Sequence, residues 1–215
     1  MNLIEQIKDS GIVAVIRGAN KDNIIPVAKA LSAGGVKALE LTVETPKILS
    51  LVEMVADELK DDVIVGVGTV LDPETARASI MAGARFVFSP VVNIETIKMT
   101  KRYGVVSVPG AFTPTEILTA YENGADLIKV FPANLLGPRF FKDVRGPLPH
   151  IPLMPTGGID VSNVGDYIRA GAVAAGAGST LVDMKQVIDE KYCEKITLKA
   201  SQFVNEVKRA REMKA

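Results

Sequence analysis

The chain has 215 residues, with 25 Lys plus Arg against 25 Asp plus Glu, so its net charge is zero with the one histidine neutral. That balance offers no basic field for nucleic acid and no polybasic run for an anionic membrane, and the length suits one domain, residues 1–215, with a sizeable core. A single cysteine, Cys193, excludes an intramolecular disulfide and a cysteine-based zinc cluster.

From the N-terminus, MNLIEQIKDSGIVAVIRG places acidic residues before a short apolar run and shows no small-residue cleavage pattern. No segment reaches the ~18 consecutive apolar residues of a membrane span, so a cytoplasmic chain with a small-molecule partner is expected. Residues 1–10 are predicted as a short helix across the bottom of the fold. Eight apolar runs then follow: IVAVIR from Ile12, ALELTV from Ala38, VIVGVG from Val63, RFVFS from Arg85, VVSVP from Val105, LIKVF from Leu127, PLMPT from Pro152 and VAAGAG from Val173. Helical periodicity fills the intervals, as in NIIPVAKALSAGG, PKILSLVEMVADEL, PETARASIMAGA, IETIKMTKRYG and PTEILTAYENGA. Asp72-Pro73 and Thr113-Pro114 are a cap followed by proline in the first helical turn. Residues 186–215 are predicted as a charged terminal helix outside the sheet.

The junctions SAGGVKALEL, MAGARFVFS, ENGADLIKV and RAGAVAAGA resemble one another, each with a glycine between a helix and the next strand. They repeat at roughly 20 to 26 residues, the length of one strand plus one helix. Strands apolar nearly throughout belong to a parallel sheet covered on both sides. Eight such units predict a single α/β domain folded as a closed (β/α)₈ TIM barrel. An open dinucleotide-binding sheet lacks support, since VGVGTVLDPE has the wrong glycine spacing.

In such a barrel the C-terminal strand ends form the functional face. They collect Arg17, Glu40 with Thr42, Thr69, Ser89 with Pro90, Pro109 with Gly110, Lys129 with Phe131, Thr156 with Gly157 and Gly158, and Gly178 with Ser179. Alternation places Val13, Val15 and Arg17 on one face of their strand, with Ala38, Glu40 and Thr42, and Leu127, Lys129 and Phe131, doing likewise on theirs. If those faces point inward, Arg17, Glu40 and Lys129 converge. A lysine within the apolar run DLIKVFPA is costly as an unpaired cation, and burial favours its neutral, nucleophilic amine. Such an amine attacks a ketone or aldehyde to give a carbinolamine and then a Schiff base, and Glu40 could move the protons. The same spacing also fits a plain inward ion pair. PTGGID and GAGST follow the seventh and eighth runs, where glycines allow backbone amides to approach a phosphate, a following helix start adds its positive end and Ser179 can donate its hydroxyl; they equally permit tight turns. Arg17 could bind a carboxylate or phosphate, or pair with Glu40.

The motifs IVAVIRG, GGVKALELTVETP, VGVGTV, AGARFVFSP, VPGAFTPTE, ADLIKVFPA, GPRFFKDVRGPLP, MPTGGID and GAGST occur in order along nearly the whole chain. Together they resemble the class I aldolases that cleave 2-keto-3-deoxy-6-phosphogluconate and 4-hydroxy-2-oxoglutarate. The resemblance implies that Lys129 forms the Schiff base and Glu40 is the general acid and base. It implies further that Arg17 and Thr69 bind the pyruvyl carboxylate, that Phe131 packs by the reacting centre and that Thr156 bonds substrate hydroxyls. Pro90 joins the substrate-binding positions, and Gly157, Gly158, Gly178 and Ser179 hold the phosphate. Members of the family are commonly homotrimers and need no cofactor or metal, which agrees with a chain whose one histidine is His150. Two positions depart from the family pattern: Glu44 stands in TVET where an arginine is common, and Asn134 stands where an acid is common. The expected reaction splits the phosphogluconate into pyruvate and glyceraldehyde 3-phosphate, or hydroxyoxoglutarate into pyruvate and glyoxylate. Alternatives are 2-keto-3-deoxy-6-phosphogalactonate as substrate, an isomerase with Glu40 as base, and a non-catalytic phosphosugar-binding barrel.

Overall fold

The structure, a computed structural model, describes residues 3–213. The ends of the two predicted terminal helices, residues 1–2 and 214–215, lie outside the described residues. Every predicted apolar run contains a strand: β1 Ile12–Ile16, β2 Ala38–Thr42, β3 Ile64–Gly68, β4 Phe86–Phe88 and β5 Val106–Val108. A short β6, Gly110–Ala111, follows, and then β7 Ile128–Val130, β8 Leu153–Pro155 and β9 Ala175–Ala177. The helices are α1 Leu3–Ser10, α2 Ile24–Ala33, α3 Ile48–Glu58, α4 Pro73–Met81, α5 Ile94–Arg102, α6 Pro114–Glu122, α7 Ala133–Val144, α8 Val164–Arg169 and α9 Glu190–Glu212.

All strand pairs are parallel, as the unbroken apolar runs predict. They form a six-stranded sheet in the order β5-β4-β3-β2-β1-β9 and a three-stranded sheet β6-β7-β8. The predicted run VVSVP contains β5 and ends at Pro109, which has no N–H to give the ladder, and the short β6 follows just beyond the run. The Pro109 carbonyl still accepts from the Lys129 N–H at 3.0 Å, while the Val108 carbonyl accepts from the Ser89 N–H at 3.3 Å. Between β8 and β9 there is one bridge, Thr156 to Gly176, and the Val173 N–H donates to the Leu153 carbonyl at 3.0 Å.

Burial separates two apolar clusters. One gathers Val13, Phe86, Phe88, Val108, Leu127 and Met154 from the inward strand faces, together with Leu3 and Ile7 of α1. The predicted N-terminal helix therefore closes one end of that interior. The other cluster lies between the outward strand faces and the helices. Because each strand is covered on both sides, β2 and β3 are buried at every residue.

Local chemistry sets the helix starts. The Asp72 carboxylate accepts from the Thr75 N–H at 2.6 Å, with Pro73 in the first turn of α4. Thr113 and Glu116 form a reciprocal capping box at α6. The amide of Phe112, followed by burial acting in the opposite direction, dominates the Glu116 carboxyl, and the net effect holds it below the usual carboxylate range. The terminal helix differs from expectation in two ways. It starts at Glu190, capped by Asp189, rather than at 186, and it is no mere outer appendage. Ile196, Ala200, Phe203, Val207 and Ala210 form a buried stripe along α9, and the Thr197 hydroxyl donates to the Ala30 carbonyl at 2.9 Å. Cys193 is half-buried on this helix, and burial pushes its thiol pKa up, as suits a structural thiol. α7 and α8 fall in none of the quoted helical segments, and α7 is kinked into two pieces at Gly137, with φ 70°, followed by Pro138.

Candidate active site

Strand β7 carries Lys129 and β2 carries Glu40, and inward alternation brings the two side chains together. Lys129 Nζ lies 3.7 Å from Glu40 Oε1, with the side chains 7% and 1% exposed. The pair is possible only because β3 passes beside it as glycine: a Cβ on Gly68 would fall 1.7 Å from Glu40 Oε1. Glu40 Oε2 is buried and has no hydrogen-bond partner. A buried oxygen left open in this way costs stability unless something arrives to use it.

Two aromatic rings flank the amine. Lys129 Nζ stands 5.2 Å from the centroid of Phe131 and 5.6 Å from that of Phe88, both within the reach of a cation–π contact. Phe88 itself leans on Phe86, with ring centroids 5.1 Å apart. Strand ends alone point to Phe131 but not to Phe88, because the fourth run ends in Ser89, followed by Pro90. The alternation Phe86, Phe88 was the available signal, since it aims both rings inward.

A cavity of about 650 Å³ opens beside Phe131 at the C-terminal strand ends. Arg17 and Thr156 line it, together with all four predicted phosphate positions, Gly157, Gly158, Gly178 and Ser179. The Thr156 hydroxyl is buried without a partner, like Glu40 Oε2. Gly176 lies under it, where a Cβ would come within 2.4 Å of Thr156 Oγ1.

The two glycine loops are tied to each other by Thr180 Oγ1, which donates to the Ile159 carbonyl at 2.5 Å; within the first loop Asn163 Nδ2 donates to the Gly158 carbonyl at 2.8 Å. Gly157 and Gly158 have φ of 96° and 71°, a left-handed path that favours glycine. The Asp160 carboxylate accepts from the Ser162 hydroxyl and amide and the Asn163 amide, and these bonds, Ser162 first, hold its pKa below the usual range. Among the described residues, the amides of Gly158, Ser179 and Thr180 have no hydrogen-bond acceptor. One expectation needs correcting: no helix follows GAGST. Leu181 and Val182 both donate to the Gly178 carbonyl in a single turn, and Ser179 is exposed on it. The loop beyond adds Asp183 and Lys185 to the cavity wall, two positions in a stretch whose lack of periodicity carries no signal for them.

Other candidates are placed differently. Arg17 pairs through its guanidinium with Glu44, not with Glu40. Thr69 lines neither this cavity nor its neighbour, and it sits after β3 at φ 62°, a strained conformation for a β-branched residue. Pro90 lines a neighbouring cavity of about 410 Å³, which shares the Phe131 ring with the first. No group of three or more metal-ligating side chains occurs among the described residues, and His150 packs edge-on against Tyr121. No helix among them is long and apolar enough to cross a membrane.

Neither Lys129 nor Glu40 lines the cavity; the Phe131 ring, 5.2 Å from the amine, stands between the pair and it. A buried amine beside a carboxylate is the donor set for imine chemistry. The family model for KDPG and KHG aldolases matches residues 3–198. This chain belongs to that aldolase family. It is 36% identical over 183 residues to a 2-dehydro-3-deoxy-phosphogluconate aldolase of Pseudomonas aeruginosa, covering 85% of this chain and 82% of the relative. It is 31% identical over 179 residues to a 2-dehydro-3-deoxy-6-phosphogalactonate aldolase of Escherichia coli K12, covering 83% and 87%. A crystal structure of KDPG aldolase from Legionella pneumophila, with pyruvate captured at low pH as a covalent carbinolamine, superposes with a TM-score of 0.83 at 28% identity, covering 91% and 95% of the two chains. The chain is thus a carbon–carbon lyase of the α/β class, and the expected aldolase activity stands.

The tight seat of Glu40 makes a test of the pair. Gly68→Ala should push the carboxylate away from Lys129 and cut aldolase turnover at least tenfold, while overpacking lowers stability by roughly 1–3 kcal/mol. Steady-state rates beside urea unfolding check this, and near-normal turnover would show that Glu40 need not sit where it does.

Proposed function

We propose that this aldolase reversibly cleaves 2-keto-3-deoxy-6-phosphogluconate to pyruvate and glyceraldehyde 3-phosphate through a Schiff base at Lys129. The observation that carries the reading is the buried Lys129–Glu40 pair with its open carboxylate oxygen, set beside the cavity holding the glycine loops. The neutral amine attacks the C2 ketone, and loss of water from the carbinolamine leaves an iminium. Glu40 takes the proton from the C4 hydroxyl as the C3–C4 bond breaks, and the electron pair moves into the iminium to give an enamine. Protonation at C3 and hydrolysis then release pyruvate and restore the amine.

In this reading the Phe88 and Phe131 rings face the cationic iminium, and Thr156 bonds a substrate hydroxyl with its unpartnered oxygen. Arg17 meets the carboxylate, joined by Thr69 once substrate is bound, and Pro90 contacts the substrate from the cavity that it shares with Phe131. Gly157, Gly158, Gly178 and Ser179 receive the phosphate, with the open amides of Gly158 and Ser179 and the Ser179 hydroxyl as donors. Cleavage of 4-hydroxy-2-oxoglutarate is a second activity of the same centre, since it uses the imine and needs no phosphate loop. The phosphogalactonate substrate differs in hydroxyl stereochemistry, and specificity constants for the two sugar acids decide between them.

We also infer that the two sheets form one closed eight-stranded barrel and a single domain over the chain. β5 and β6 would be one strand broken at Pro109, and the Thr156–Gly176 bridge would join β8 to β9. A homotrimer is the proposed assembly. Val91, Phe112 and Leu135 stand exposed around the cavity that Pro90 lines, an apolar patch of the kind that partners cover. The proposed location is the cytoplasm, in keeping with a central-metabolic substrate, and cell fractionation tests it.

Borohydride reduction in the presence of pyruvate should attach a pyruvyl group to Lys129, identified by peptide mass spectrometry, and an unmodified Lys129 would sink the mechanism. Ser179→Ala should reduce kcat/KM for the phosphorylated substrate about tenfold, near the loss of a hydrogen bond to a charged group, and leave hydroxyoxoglutarate cleavage nearly unchanged. Equal losses on both substrates would make Ser179 a turn residue only. Sedimentation should give a mass about three times the 22.9 kDa chain, and a monomer would refute the assembly.

A further inference from the structure

Arg17 is the guanidinium that lines the cavity, yet in this structure it is already engaged. Its Nη1 pairs with Oε1 of Glu44, and among the described residues it has no other hydrogen-bond or ion-pair partner. We propose that Glu44 is a specificity-determining residue, an internal carboxylate that competes with the carboxylate of an incoming 2-keto acid for Arg17. The proposal rests on the reading of Arg17 as the carboxylate site.

The segment holding Glu44 is fixed at its backbone. The Val43 N–H donates to the Gly68 carbonyl at 2.9 Å, the Thr45 N–H to the Thr42 carbonyl at 3.0 Å, and the Gly18 N–H to Thr45 Oγ1 at 3.2 Å. The last of these bonds ties the residue after Arg17 to the residue after Glu44. The acid therefore stays at the rim whatever its side chain does. That side chain is free to move, since the Glu44 and Arg17 side chains are 39% and 62% exposed. A solvated pair of this kind shifts an equilibrium by no more than about fivefold, so a substrate carboxylate can displace Glu44.

Displacement does not remove the acid. With Glu44 beside it, Arg17 offers no net positive charge where the keto acid docks, and a released Glu44 still repels the newcomer at short range. Two consequences follow for the choice of substrate. Affinity for the anionic pyruvyl end is set below what Arg17 alone would give, and the margin by which a 2-keto acid is preferred over a neutral ketone is narrowed. The effect belongs to charge, so it should vanish for a donor that keeps the ketone and lacks the carboxylate's charge.

The full-length protein tests this through the concentration of donor that gives half-maximal borohydride trapping at Lys129, measured for pyruvate and for methyl pyruvate, its neutral ester. Glu44→Gln is expected to lower the pyruvate value about two- to fivefold and leave the methyl pyruvate value in place. Glu44→Ala, which removes the hydrogen bond as well as the charge, should move it in the same direction. Arg17→Ala should raise the pyruvate value and spare the ester. If Glu44→Gln raises the pyruvate value as Arg17→Ala does, Glu44 orients the guanidinium and the proposal is overturned; no change in Glu44→Gln overturns it too. Indifference to Arg17→Ala, with trapping at Lys129 intact, refutes the carboxylate role of Arg17 and this inference with it, but leaves the Schiff-base mechanism standing.

Discussion

An ammonium and a carboxylate held 3.7 Å apart inside an apolar sheet interior are the constraint around which this structure is arranged. Taking both groups out of water is expensive, and their mutual attraction offsets that cost only when the remaining lone pairs and protons also find partners. Here they do not all do so, because one oxygen of Glu40 is left open. Removing either partner of such a pair typically costs roughly 3–5 kcal/mol, whereas a hydrophobic replacement of both is often neutral. Stability alone therefore gives no reason to place Lys129 and Glu40 among Phe86, Phe88, Leu127 and Met154. The proposed imine chemistry does, because a dry amine is a better nucleophile and a neighbouring carboxylate can receive its protons.

Much of the surrounding packing serves that placement. Gly68 clears the volume that the Glu40 carboxylate occupies, and Gly176 does the same for the Thr156 hydroxyl. Phe86 supports Phe88 from below, so the ring facing Lys129 cannot sink away. On the other side of the site, Tyr167 donates its hydroxyl to the Ala133 carbonyl at 3.1 Å, holding the start of α7 behind Phe131, and burial raises the phenol's pKa so that it stays a donor. Rigid strands thus carry the Lys129–Glu40 pair, and hydrogen-bonded loops carry the glycines that line the cavity.

The strand series was legible because parallel strands buried on both faces leave long apolar runs, and because each α-to-β junction repeats a glycine. The active pair was legible for a related reason: a charged residue within such a run stands out against its neighbours. What stayed hidden had no periodic signature. The break at Pro109 looks like the end of one strand until its partners on either side are known. α7 is masked by Gly137 and Pro138, and Asp183 and Lys185 reach the cavity from a loop whose path depends on Tyr192, whose hydroxyl accepts from the Asp183 N–H and donates to the Asp183 carbonyl. The partner of Arg17 was equally unreadable. Strand alternation placed Glu40 on the same inward face and so suggested it, but Glu44 lies beyond the end of β2, where alternation no longer applies.

The charges at the rim bear on how an anionic substrate is drawn in. Arg17 is matched by Glu44, and Lys185 shares the cavity wall with Asp183. The Gln186 side chain and the Lys185 amide donate to the Asp183 carboxylate and hold its pKa below the usual range, so it stays charged at neutral pH. A chain with zero net charge and such balanced rim charges creates little long-range attraction for a phosphorylated acid. In the proposed reading, binding energy then comes from short-range contacts, the open amides of Gly158, Ser179 and Thr180 and the Arg17 guanidinium, and from the imine at Lys129. Those contacts act only after the substrate has entered, so they favour retention and alignment over rapid capture. An enzyme of this kind should depend weakly on ionic strength for its encounter rate, because there is little field for salt to screen.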